Sequence, residues 1–126
     1  MQDQLVYQPT QIINLGFADG RITVQDIDNE VFQDYTPSRT AAALVVYVRA
    51  INLKQGDQIR MSLTNDKGEI ITKTYNPMKR NRATQMYFSG KKAPRGGWAA
   101  GNYTVKAEVL RGGDVFEVET LTKIAQ

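Results

Sequence analysis

Ser89-Gly90-Lys91-Lys92 is the one place where this sequence sets a serine close to lysines, the pairing that lets an amine activate a hydroxyl as a nucleophile. Only Ser38, Ser62 and Ser89 are available, and there is no histidine or cysteine to serve as base or as a stronger nucleophile. Ser89 reads better as the end of a strand than as half of a dyad, so the chain is read as a non-enzyme. Asp26-Ile27-Asp28-Asn29-Glu30 gathers oxygen ligands of the kind calcium takes. It lacks the glycine at the sixth position and the later bidentate glutamate of an EF-hand loop, so a solvated acidic turn is the plainer reading. No metal or cofactor is expected. Neither Gly96-Gly97 nor Gly112-Gly113 opens a helix, so neither is a phosphate cradle.

Binding chemistry is better represented. Net charge is only +3, but its distribution is uneven. Before Thr40 the acids Asp3, Asp19, Asp26, Asp28, Glu30 and Asp34 face only Arg21 and Arg39. Between Glu69 and Glu108 no acid occurs, while Lys73, Lys79, Arg80, Arg82, Lys91, Lys92, Arg95 and Lys106 all fall there. One part of the fold is therefore expected to be basic and another acidic. The candidate binding residues are Lys79, Arg80, Arg82, Tyr87, Lys91, Lys92, Arg95 and Trp98, a set able to meet a polyanion by charge and stacking. The competing readings are structural: a solvated basic edge that blocks strand-to-strand aggregation, and a tryptophan packed on the rim of the core rather than stacked on carbohydrate. The modest net charge and the acidic first third argue against nucleic acid.

The elements that must position these residues are strands. Ala41 to Ala50 is the longest apolar run, rich in β-branched residues and without charge until Arg49. It is too short to cross a membrane and predicts a central strand, over about 42–52, buried on both faces. Gln11 to Phe17 predicts a first strand, and Arg21 to Gln25 a second with Ile22 and Val24 on one face. Ile27 to Tyr35 reads as a short edge strand or loop. Gln58 to Thr64 alternates Ile59, Met61 and Leu63 against polar neighbours. Asn65-Asp66-Lys67-Gly68 is a hairpin signal, returning through a strand at 69–75. Residues 78–84 read as irregular, 85–89 as a short strand with Met86 and Phe88 inward, and 90–97 as a loop. Asn102 to Leu110 places Tyr103, Val105, Ala107 and Val109 on one face. After the Gly112-Gly113 turn, 115–124 predicts the last strand, with a bulge between Val118 and Leu121.

No window carries a helical period. The fold expected is all-β: a single antiparallel β-sandwich, immunoglobulin-like or fibronectin-III-like, with a closed barrel as the alternative. A chain of 126 residues suits one such domain over 11–126, with 1–10 as leader or linker. Met1-Gln2-Asp3-Gln4 lacks the basic start and apolar stretch of a signal peptide. The absence of cysteine leaves the redox compartment open.

Gly96-Gly97-Trp98-Ala99-Ala100-Gly101-Asn102-Tyr103-Thr104-Val105, followed by Val109-Leu110-Arg111-Gly112-Gly113, resembles the closing hairpin of bacterial extracytoplasmic immunoglobulin-like domains. Asn14-Leu15-Gly16-Phe17-Ala18, then residues 43–49, then Gly56-Asp57-Gln58-Ile59-Arg60, then residues 87–94 occur in the same order. Together they resemble the β-sandwich accessory domain of proteobacterial lysostaphin/LytM-type zinc metallopeptidases, over roughly residues 11–124. Asn65-Asp66-Lys67-Gly68 departs from the Pro-Asp-Gly turn often found there. With no histidine, none of that family's zinc ligands can be carried over. The resemblance implies a non-catalytic module of the periplasm or cell envelope, positioning a peptidase domain in the same or a partner chain. Its implied partner is peptidoglycan or an envelope protein. A stand-alone adhesive or structural module using an exposed sheet edge is the alternative.

Overall fold

The alternation of the sequence becomes two facing sheets. The structure, a computed structural model, describes residues 9–20, 22–29 and 35–126. Its elements are β1 (Gln11–Ala18), α1 (Val24–Asp28), β2 (Ala43–Leu53), β3 (Gln58–Thr64), β4 (Ile70–Pro77), β5 (Arg82–Lys92), β6 (Gly101–Arg111) and β7 (Asp114–Ala125). One sheet has the order β1-β2-β5 and the other β4-β3-β6-β7, with every pairing antiparallel. This is the expected immunoglobulin-like sandwich, with one distinguishing feature. In the constant-type arrangement the fourth strand lies beside the fifth; here it lies beside the third. Of the expected leader, residues 1–8 lie outside the described residues, as do Arg21 and residues 30–34 with the Val31-Phe32 pair.

β2 is covered on both faces, as its apolar run requires. Leu44, Val46, Val48 and Ala50 join Ile59, Met61, Leu63, Val105, Ala107 and Val109 in the core between the sheets. On the outer face Tyr47 is buried in a second cluster with Ala18, Ile22 and Ile27. The cover there is α1, and it corrects the sequence reading, which placed a strand over 21–25 and no helix anywhere. Thr23 caps the helix: its Oγ1 accepts from the Asp26 amide at 3.1 Å, and Asp26 Oδ2 accepts from the Thr23 amide at 3.0 Å. A single capped turn is too short to leave a helical period in the sequence. Asp26 is thus occupied as a capping residue, and Asp28 pairs with Arg49.

β5 is also corrected. It runs from Arg82 to Lys92 rather than over 85–89, and its faces are reversed. Tyr87 pairs with Val48 and Ser89 with Val46, both core positions, while Met86 and Phe88 pair with Arg49 and Tyr47 on the outer face. Phe88 is 41% exposed, and Met86 packs on the outer cluster under α1. In β7 the irregularity falls opposite Val109/Leu110, at Phe116, not between Val118 and Leu121. Strict alternation continues through 117–124, but the positions paired with core residues include Glu117 and Glu119. Charges at positions that pair with core residues hide the hydrophobic period of this strand.

Candidate functional site

The eight candidate binding residues do not form one patch. Lys79 and Arg80 sit on the β4–β5 turn and Arg82 opens β5, whereas Lys91 and Lys92 close it and Arg95 follows. Ten residue steps at about 3.3 Å each put roughly 33 Å between Arg82 and Lys92. All six cations are exposed. Tyr87 lies between the two groups but turns inward, half-buried against the core, where burial raises its phenol pKa. Trp98 is 6% exposed, so its ring faces are not offered to a sugar.

Trp98 instead builds the loop before β6. Its indole Nε1–H donates to the Ala41 carbonyl at 3.1 Å, its amide donates to the Arg39 carbonyl at 2.9 Å, and Arg39 Nε donates to the Trp98 carbonyl at 3.0 Å. Gly97 makes this approach feasible: its φ is +85° and a Cβ there would stand 2.6 Å from the Arg39 oxygen. Tyr103 meets Trp98 edge-on, with centroids 6.3 Å apart, and its hydroxyl donates to the Ala99 carbonyl at 2.6 Å. A tyrosine near the start of the sixth strand bonding back to the preceding loop is the tyrosine corner of immunoglobulin-like sandwiches. The loop is braced by Trp98 within it and by Tyr103 at the start of β6.

Across from it, the β3–β4 hairpin is held by Asn65. Asn65 Oδ1 accepts from the amides of Lys67 and Glu69, both at 3.0 Å, and its Nδ2 donates to Glu69 Oε1 at 2.8 Å. Gly68 closes the turn with φ +80°. Between the two loops, where β4 and β5 part, lies a cleft of about 330 Å³. Ile70, Ile71, Pro94, Trp98 and Tyr103 form its apolar wall, with Asn65, Glu69 and Lys91 on the rim. A second hollow of about 220 Å³ continues it past Ala99 toward Asp66, Lys67 and Asn102. Few polar groups converging on an apolar recess is the usual composition of a ligand site. Ile70, at 61% exposure, marks the open lip.

The rim carries both signs of charge. Glu69 is held by Asn65, while Lys91 has no ion pair among the described residues. The cleft can therefore take an apolar group of one or two side chains, with a carboxylate toward Lys91 and a hydrogen-bond donor toward Glu69. Among the described residues no group of three or more histidine, cysteine, aspartate or glutamate side chains could hold a metal ion. The structure thus gathers Lys91 and Trp98 of the sequence candidates at one site; Lys92 pairs with Ala43 on the opposite face of β5, and Arg95 is not in the lining. Asn65, Glu69, Ile70, Ile71 and Tyr103 went unremarked as site residues. The available signal was the Ile70-Ile71 pair directly after a polar turn.

The opposite end holds a different arrangement. Asp57, 1% exposed, accepts from Arg111 Nε and Nη2, each at 2.8 Å, and from the Lys54 amide at 2.8 Å. Burial pushes its carboxyl up, yet the hydrogen bonds and charge of Arg111 and the Lys54 amide outweigh that and leave its pKa lowered. Arg111 Nη2 also donates to Thr10 Oγ1 at 2.7 Å, which anchors the last residue of the expected leader.

No protein-family model and no curated protein sequence matches this chain. Among solved structures, a β-glucuronidase of Bifidobacterium dentium, complexed with coumarin-3-O-glucuronide, contains a similar sandwich. The TM-score is 0.53 at 18% identity, and the match covers 92% of this chain. This chain spans only 18% of that enzyme's length. The likeness establishes the fold alone: an immunoglobulin-like β-sandwich.

Proposed function

We propose that this chain is a non-catalytic β-sandwich module of the bacterial cell envelope that docks a cell-wall peptidase to peptidoglycan or to an envelope partner through the cleft between the β3–β4 hairpin and the loop before β6. The observation that carries the reading is the cleft itself: an apolar recess between two braced loops, with Glu69 on its rim beside Lys91, which has no ion pair among the described residues. Peptidoglycan stem peptides offer the matching chemistry, short aliphatic side chains beside carboxylates and amides. The lysostaphin/LytM resemblance supplies the peptidase, and the absence of histidine and cysteine supports a module without catalysis of its own. A comparable sandwich forming 18% of a longer enzyme chain is consistent with such a supporting role. Pelleting with purified sacculi tests it. Wild type is expected in the pellet at low salt, and Lys91→Glu and Ile71→Asp in the supernatant. Wild-type protein left in the supernatant, or unchanged pelleting of both variants, would defeat the proposal.

A second reading is favoured by β7, a 12-residue edge strand that exposes Val115, Phe116, Val118 and Ile124. An adhesive module would use that edge to pair with a partner strand. Val118→Lys would then abolish association while leaving sacculus binding intact.

A further inference from the structure

We propose that the end of the sandwich opposite the cleft is a docking surface for an anionic phospholipid membrane. Four cations stand there on two adjoining segments: Lys54 on the β2–β3 turn, and Lys79, Arg80 and Arg82 on the β4–β5 turn and the first position of β5. The turns are fixed to each other. The Gly56 amide donates to the Met78 carbonyl at 2.9 Å, the Met78 amide to the Asp57 carbonyl at 2.7 Å, and the Gln55 amide to Asn81 Oδ1 at 2.8 Å. All four cations are exposed, and none has an ion pair among the described residues.

The lone acid on these turns does not offset them. Asp57 is buried, and both its carboxylate oxygens are bonded to Arg111, so its charge is met chiefly by that guanidinium, with Lys54 a smaller contributor. Among the described residues of these turns, the neighbouring β6–β7 turn adds only Asp114, leaving four exposed cations against one exposed acid.

The form of the surface selects among anions. The cations sit at the tips of turns rather than along a groove, so a flat charged surface meets them together. Neither turn carries an aromatic side chain on which a base could stack, which disfavours single-stranded nucleic acid. Anionic lipid headgroups attract each nearby lysine or arginine by about 1 kcal/mol, roughly fivefold in partitioning per charge. Because the cleft lies at the far end of β5, a membrane held here leaves it open. The inference does not depend on what the cleft binds.

Co-sedimentation with vesicles of phosphatidylglycerol and phosphatidylcholine in equal parts tests it, with pure phosphatidylcholine vesicles as reference. Wild type is expected to pellet with the anionic vesicles at low salt and to be released at about 0.5 M salt, where screening shrinks to a few ångströms. Lys79→Gln/Arg80→Gln/Arg82→Gln should lose roughly 100-fold in partitioning, while Lys91→Gln/Lys92→Gln/Arg95→Gln, at the cleft end, should bind as wild type. Both triple variants alter exposed side chains only, and matching thermal melts would verify their folding. Equal affinity for neutral vesicles, retained binding by the first variant, or equal loss in the second would overturn the inference. So would DNA displacing the protein from vesicles at equal charge concentration, which would make the surface a nucleic-acid site.

Discussion

Asp57→Asn removes one charge and almost no volume, which makes it a sharp probe of the bonding at the N-terminal end of the sandwich. The wild-type carboxylate accepts two bonds from Arg111 and one from the Lys54 amide, and Arg111 in turn reaches Thr10 and lies 3.9 Å from the centre of the Phe116 ring. One group therefore ties together the approach to β1, the β2–β3 turn, the end of β6 and the start of β7. The asparagine would present an NH₂ group where a carboxylate oxygen had been, leaving the guanidinium without its counter-charge. Breaking a buried pair from one side costs about 3–5 kcal/mol. Arg111 keeps 34% of its side chain in solvent and can be partly rehydrated, so the expected loss is about 3 kcal/mol, near the low end. At about 2.1 cal/mol/K per residue, a chain of 126 residues loses roughly 11 °C in Tm.

The pH dependence gives a second readout. The Asp57 pKa is lower in the folded protein than in the unfolded chain, so its contribution is fully present above the unfolded value of about 3.9. It is lost as pH falls through the depressed folded value. Glu108, lowered chiefly by its hydrogen bond from Arg60, follows the same sign and is untouched by the substitution. The Tm difference between wild type and Asp57→Asn, measured by differential scanning calorimetry, should be constant from about pH 5 to 8 and shrink below about pH 4. A difference under about 2 °C at neutral pH, or one that persists unchanged into strong acid, would refute the reasoning.

Three further outcomes are expected. Tyr103→Phe deletes the bond to the Ala99 carbonyl and should lower stability by about 1 kcal/mol in a urea titration, with faster amide exchange confined to the loop before β6. Gly97→Ala should cost about 2 kcal/mol or more, because strain at φ +85° adds to a backbone collision with Arg39. Gly56→Ala, at φ +92° with open space around it, should cost only about 1 kcal/mol, and equal midpoints for the two would contradict the close approach at Gly97. Tyr87→Ala should lower the unfolding free energy from a urea titration more than Phe88→Ala, by about 1 kcal/mol or more, since Tyr87 faces the core. The reverse order would restore the inward Phe88 read from the sequence.

The positions legible in the sequence were those with one wet face and one dry face. β3 alternates without exception and occupies residues 58–64, as expected. On β6, Tyr103, Val105, Ala107 and Val109 are the buried set the pattern named. β5 failed the same test because both its faces meet apolar surface: Tyr87 turns to the main core, Met86 to the cluster around Tyr47. With α1 invisible as a period, nothing in the sequence revealed that second cluster. The basic residues misled for another reason. Arg82 and Lys92 are near in sequence, but an extended strand carries its ends far apart, so a charge run on β5 becomes two separate groups. Arg111 and Asp57, 54 positions apart, meet only through the β3–β6 pairing, which no local pattern encodes.

The cleft follows from a turn. The short Asn65–Gly68 loop, stiffened by the Asn65 side chain, leaves no length for the chain to cross to the other sheet, so β4 must return beside β3. Had β4 joined β5, as in the constant-type arrangement, the margin between them would be closed by ladder hydrogen bonds. Instead the two edges are joined by a hydrogen bond between the Thr72 and Ser89 hydroxyls, and beyond it Ile70, Ile71 and Lys91 border open space. Trp98 and Tyr103, needed in any case to anchor the entry to β6, complete the cleft's apolar wall. The candidate site is thus a consequence of which sheet the fourth strand chose, and that choice is written in four residues of a hairpin.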